Sequence, residues 1–167
     1  MSFLDEARVT LRVDEQPEVK TFIDPDQVAE DVKIDPNNIE STMLGISAIY
    51  SRYAHFVSMA RIQRDGFKSR KRLLQAKVEK AVRDKAQEDG EKLTNPQVAS
   101  LVDSHPVVVK ADLALNEAAA VLSAIQETLN SISMKRDMLV QLNKNRNREW
   151  DMSSANVAKQ DLSDVGL

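Results

Sequence analysis

The 167-residue chain is long enough for one domain of ordinary size, or one domain with tails. It has no cysteine, which excludes disulfides and thiolate metal sites, and its few glycines and aromatics beside plentiful Ala, Leu, Lys, Arg, Glu and Gln favour long helices over a sheet. The net charge of -3 hides a segregation: acids dominate up to Glu40, the centre is basic, and the chain turns mildly acidic after Trp150, so the overall charge says little about partners.

Residues Met1 to Lys20 show no sustained period. "VTLRV" is compatible with a short strand, limited by Pro17, and the segment reads as a flexible acidic arm or a docking segment. Two Asp-Pro pairs follow. An Asp can accept from the free N–H groups of a first helical turn, and Pro fits the first helical position. Asp24–Pro25 therefore predicts a short helix to about Val32, and Asp35–Pro36 predicts the start of a longer one. From Asn37 to about Asp89 only Gly45 and Gly66 oppose a helix, at ~1 kcal/mol each relative to Ala. Its seam runs Met43, Ile46, Tyr50, Tyr53, Val57, Ala60, Arg64, Phe67, Lys71, Leu74, Val78, Ala81, the three-and-four spacing of a helix laid on another helix.

Gly90 suits a left-handed C-terminal cap, Asn95–Pro96 opens a short helix to about Asp103, and Ser104 is the expected cap of the next. A second seam runs Val108, Ala111, Leu115, Ala118, Leu122, Ile125, Leu129, Ile132, Arg136, Leu139 and fades in "NKNRNREW", where Asn143, Asn145 and Asn147 are poor helix-interior residues. The expected fold is all-α: a long antiparallel, coiled-coil-like helical hairpin with short N-terminal and turn helices. Its parts are an acidic arm with a short helix (1–35), the hairpin domain (36–150) and a disordered tail (151–167). Pairing outward from the turn sets Leu74 near Ala118, Phe67 near Ile125 and Ala60 near Ile132. Val109, Leu113 and Val121 lie off the second seam, so more apolar surface is presented than one partner helix covers, and self-association into a homo-oligomer is expected.

The stretch Arg61 to Lys85 collects ten cations against Asp65, Glu79 and Asp84. Arg61, Arg64, Lys68, Lys71 and Arg72 fall within about a third of the helix circumference, along ~16 Å. Arg70 belongs to the same stretch. Beyond Lys77 the charges pair at i,i+4, Glu79 with Arg83 and Lys80 with Asp84, as on any exposed helix. Two readings stand: the solvated face of a coiled coil, or a phosphate-binding ridge. A second cluster, Lys135, Arg136, Lys144, Arg146 and Arg148, precedes Trp150, which either stacks on a single strand or anchors a helix end. His55 and His105 lack metal-ligand spacing, and no phosphate loop or nucleophile motif occurs, so no metal, no cofactor and no enzyme activity are expected. No apolar run approaches the ~20 residues of a membrane span. With no signal region at the start, the expectation is a cytoplasmic protein.

A basic first long helix, a polar break, then "LVDSHPVVVKADLALNEAAAVLSAIQETLNSISMKRDMLVQLNKNRNREW" resembles the recombination mediator proteins of tailed phages, the UvsY type. The matching residues are Asp103, Val109, Lys110, Asp112, Leu115, Leu122, Leu129, Ile132 and Arg136, and the resemblance covers roughly Ile39 to Trp150. The chain departs from that pattern in its longer acidic arm, its extra tail and Asp137 in place of a Gly after the late Arg. The resemblance implies a non-enzymatic helical homo-oligomer in the host-cell cytoplasm. Such proteins bind single-stranded DNA and help a RecA-like recombinase replace single-strand-binding protein. The family's DNA contacts come from the basic part of the first long helix, which by position means Arg61, Arg64, Lys68, Arg70, Lys71 and Arg72, with Lys135 and Arg136 as the late basic element. The competing expectation is a structural or chaperone-like coiled coil of phage assembly that binds protein partners only. A third, resting on the N-terminal charge alone, is a regulator whose acidic arm mimics nucleic acid.

Overall fold

The computed structural model describes residues 17–164, with side chains as far as residue 153. Four helices are found there and no strand: α1 (Pro25–Val32), α2 (Ile39–Glu88), α3 (Asn95–Asp103) and α4 (Pro106–Asp164). The short strand and the flexible arm expected ahead of Pro17 lie outside the described residues.

The helix starts follow from local chemistry, with two corrections. At α1 the Asp24 side chain accepts from the Asp26 N–H at 3.0 Å, with Pro25 in the first turn, as expected. Asp35–Pro36 does not open α2. The Asp35 carboxylate accepts from the Asn37 N–H (2.9 Å) and its carbonyl from the Asn38 N–H (3.2 Å), which closes a turn. Pro suits the second position of a turn as well as it suits a first helical position. The helix waits for Asn38, whose carbonyl accepts from the Thr42 N–H at 3.2 Å and whose side chain accepts from the Ser41 hydroxyl. At α3, Thr94 and Gln97 form a reciprocal capping box.

Ser104 closes α3 rather than opening α4: its hydroxyl donates to the Ser100 carbonyl at 2.8 Å. His105 is the residue that starts α4. Its carbonyl accepts from Val109 (3.0 Å) and its Nδ1 from the Val107 N–H (3.3 Å). This gives one of the two histidines a structural role.

Neither Gly45 nor Gly66 interrupts α2, and a Cβ at either would meet nothing within 4 Å. Gly90 is different. With φ 70 it ends α2, and the bonds Gly90 N–H to Gln87 (3.3 Å) and Glu91 N–H to Ala86 (2.8 Å) make a Schellman motif. The segment from Asp151, expected to be disordered, is helical to Asp164. It contains neither Gly nor Pro over that span, and extending an existing helix adds one hydrogen bond per residue without a new nucleus.

The chain divides into two compact units. One takes in the described residues up to Phe22 together with Val57–Ala124; the other takes in Ile23–Phe56 together with the chain from Ile125. In each a stretch of α2 pairs with a stretch of α4, the pairing of an all-α helical hairpin. In the first unit Ala60, Phe67, Leu74 and Val78 of α2 and Val108, Ala111, Ala118 and Leu122 of α4 are buried. Lys71 bonds Asp112 while Val78 clusters with Val108, so the two stretches run antiparallel. α3 closes the turn by placing Val98 and Val102 in that cluster, with Val82 and Leu93 packed against it. Each fully buried valine is worth roughly 1.5–3 kcal/mol.

In the second unit Ile39, Ile46 and Tyr53 of α2 and Ile125, Ile132 and Leu139 of α4 are buried. Tyr50, expected on the seam, is 41% exposed. Lys135, a lysine, occupies a seam position that the sequence reading gave to Arg136.

Candidate nucleic-acid interface

In the first unit, burial of Ala60, Phe67 and Leu74 fixes the rotation of α2. Arg61 then stands about 100° from Ala60 on the helix, with Lys68 seven residues and Arg72 eleven residues further on and within about 20° of the same line. All three are exposed. Among the described residues none of their side chains takes part in an ion pair or a hydrogen bond. Together they make a ridge of cations ~16 Å long.

The other cations of the stretch have different surroundings. Arg64 binds the carboxylate of its neighbour Asp65 through Nη2 (2.7 Å) and Nε (3.0 Å). Both side chains are partly exposed, and such a pair contributes little and yields readily to a stronger anion. Lys71 reaches across to Asp112 of α4 at 2.6 Å and is half-buried. Its charge therefore ties the two helices together and is a poor candidate for an outside phosphate. Arg70 is also half-buried, and it projects on the opposite flank of α2 from the ridge.

On that opposite flank stands Gln63, which no motif or charge pattern marks out. Its side chain forms a reciprocal pair with the backbone of Lys20, accepting from the Lys20 N–H at 3.0 Å and donating to the Lys20 carbonyl at 3.2 Å. The chain just before α1 is thereby fastened to the N-terminal end of the basic stretch.

The second unit holds the late basic element. Lys135 is 5% exposed, and its Nζ donates to the Asp31 carbonyl at 2.8 Å. Burial lowers its pKa from the usual lysine value, with the Asp31 charge opposing that shift. Lys135, expected among the phosphate-binding cations, is accordingly a structural residue closed to an outside phosphate. Arg136 is exposed and holds Asp137 at 2.9 Å, an exposed pair between neighbours. Lys144, Arg146, Arg148 and Trp150 are exposed on α4, and Trp150 at 69% exposure anchors nothing among the described residues.

The buried centre of this unit is Asp31, which no pattern in the sequence singles out. Its carboxylate accepts from Tyr53 Oη (2.9 Å), Gln27 (3.1 Å) and the Arg52 guanidinium. Arg52 also lies over the Tyr53 ring, 5.5 Å from its centroid. Burial, then the hydrogen bond to Asp31 and its charge, push the Tyr53 phenol up to about 12. The cluster bolts α1 to α2 and α4. No group of three His, Asp or Glu able to hold a metal occurs among the described residues. No helix there is long and apolar enough to cross a membrane.

No protein-family model matches the chain. No curated protein matches it by sequence. Among solved structures, the chain is similar to the recombination mediator protein UvsY of bacteriophage T4, with a TM-score of 0.62 at 14% identity. The match covers 74% of this chain and 94% of the other. At that identity the likeness concerns the fold.

Proposed function

We propose that this chain is a non-enzymatic, single-stranded-DNA-binding recombination mediator that helps load a RecA-like recombinase onto DNA covered by single-strand-binding protein. The observation that carries this reading is the ridge Arg61–Lys68–Arg72, exposed and without ion pairs among the described residues. The fold shared with a phage recombination mediator supports it. Arg64 joins the ridge when a phosphate displaces Asp65. The strand is held by its backbone, so binding is sequence-tolerant and weakens steeply with salt through counterion release. Copies of the chain assembled side by side would join short ridges into a longer track.

The test is the anisotropy of a labelled oligo(dT) titrated with the full chain at several salt concentrations. With three cations engaged per chain, or four once Arg64 joins, log K should fall against log salt with a slope of about -2 to -3. Charge reversal by Lys68→Glu with Arg72→Glu should weaken binding at least tenfold and leave the helical circular dichroism unchanged. No binding at ~50 mM salt, or no effect of the pair, rejects the reading.

A second reading, a coiled coil that binds protein partners only, is favoured by one observation. Ile62, Leu73 and Leu113 of the first unit are 69%, 56% and 64% exposed. Light scattering with and without the oligonucleotide separates the two: an oligomer indifferent to DNA favours the second.

A further inference from the structure

The basic stretch has two flanks, and the polyanion ridge uses one. Gln63, Arg70 and Lys77 recur every seven residues, so they line the other flank of α2 within the same unit. Lys77 is exposed and has no ion pair among the described residues. At one end of this line Gln63 holds the Lys20 backbone through both of its polar atoms. A two-sided bond between a glutamine and a main chain fixes an extended segment against a helix, much as a strand is fixed by its neighbour. The chain that leads into this anchor is acidic. Residues 1–18 carry Asp5, Glu6, Asp14, Glu15 and Glu18 against Arg8 and Arg12.

We infer that the acidic N-terminal segment is the ligand of the Gln63–Arg70–Lys77 flank, and that it withholds this half of the basic stretch from polyanions. Length permits it: Lys77 stands ~21 Å along the helix from Gln63, whereas the residues preceding Lys20 span more than 50 Å when extended. Charge complementarity favours it, and the Gln63 anchor removes most of the entropy cost of bringing the two together, because a tethered anion acts at millimolar effective concentration. Ion pairs of this kind are individually weak and screened by salt, so the segment competes as a group and can be displaced. Docking stands apart from the DNA reading. The claim that it limits polyanion binding rests on that reading.

Two measurements on the full-length chain test it, comparing the parent with a variant carrying Asp14→Asn, Glu15→Gln and Glu18→Gln. In pulsed amine labelling followed by mass spectrometry, Lys77 should react about two- to fivefold faster in the variant, as expected on loss of surface ion pairs. Lys68, on the opposite flank, should be unchanged and serves as the internal standard. Equal Lys77 rates in the two proteins overturn the docking. In the oligo(dT) assay the variant should bind more tightly, with a salt slope steeper by ~0.7 for the one released lysine. That increment should vanish when Lys77→Gln is added. An increment that persists without Lys77 reflects net charge and overturns the competition. If neither protein binds the oligonucleotide, the proposed function fails and the competition with it, while the labelling result still decides the docking.

Discussion

Truncating Asp31 to Ala should cost about 3–4 kcal/mol of stability, well above an ordinary surface change. The magnitude follows from what each partner does when the carboxylate is gone. Tyr53 is 2% exposed, so its hydroxyl is left buried without its acceptor, at about 1–3 kcal/mol. The Arg52 side chain is 43% exposed and rehydrates, which limits its share to about 1 kcal/mol. Gln27 loses one neutral bond, about 0.5–1 kcal/mol. Lys135 keeps its bond because it uses the Asp31 main-chain carbonyl, but it loses the carboxylate that offsets its burial. Urea unfolding followed by circular dichroism at 222 nm measures the sum. Tyr53→Phe alone should cost about 1–1.5 kcal/mol. The double variant should fall short of the sum of the two singles by about 1–2 kcal/mol, because no hydroxyl remains to be stranded. A cost below about 1 kcal/mol for Asp31→Ala, or strict additivity with Tyr53→Phe, would refute the claim that this carboxylate bolts α1 in place.

The same cluster predicts an alkaline transition. Tyr53 holds its proton more tightly in the folded chain, with its pKa raised from 10.0 to about 12, so its contribution is complete below pH 10 and lost as pH climbs to about 12. The full loss is on the order of 3 kcal/mol, since each pKa unit is worth about 1.4 kcal/mol. Lys135 has the opposite sign: its lowered pKa weakens the folded state at neutral pH, and that cost is relieved as pH approaches the usual lysine value. Comparing the parent with Tyr53→Phe at each pH cancels the lysine effect. In a Tyr50→Phe background, phenolate absorbance reports Tyr53 alone, and half-ionisation near 10 would contradict the cluster. Gly90→Ala should destabilise the chain by about 1–2 kcal/mol, the cost of a left-handed residue with a Cβ. A Cβ there meets nothing within 4 Å, so a much larger loss of urea stability would contradict the purely conformational account.

Much of the fold was readable from spacing and punctuation. The Asp24–Pro25 start and the Gly90 stop are decided by groups within a few residues, and local chemistry settles them. At Asn95–Pro96 the helix begins as expected, but the cap is Thr94, one residue ahead of Asn95. The misreadings share a cause, which is that one local signal served two outcomes. Asp35–Pro36 suits a turn as well as a helix start, and Asn38 stood ready to take over the start. In "DSHP" both Ser104 and His105 can cap; Ser104 turned back to the Ser100 carbonyl, which left His105 for α4. The seam fades in the Asn-rich end of α4, yet its asparagines extend a helix that is already nucleated.

The candidate site was readable as charge and unreadable as geometry. Spacing alone placed Arg61, Lys68 and Arg72 on one line, and those three stand open. Spacing could not distinguish Lys71 from them, because its fate depends on Asp112, forty-one residues away. Nor could it choose between Lys135 and Arg136, since both steps from Ile132 to Leu139, three-then-four or four-then-three, satisfy a helical seam. The choice rests on where a bare acceptor lies. Val32 and Lys33 end α1, and the Asp31 carbonyl in its last turn has no helical N–H to receive. A buried carbonyl needs a donor, and a lysine on a seam reaches it with its stem packed among apolar neighbours. Arg136, turned outward, is left with Asp137. A cation in a basic stretch is therefore a candidate for phosphate only after the unsatisfied acceptors of its own chain have been counted, and that count requires the fold.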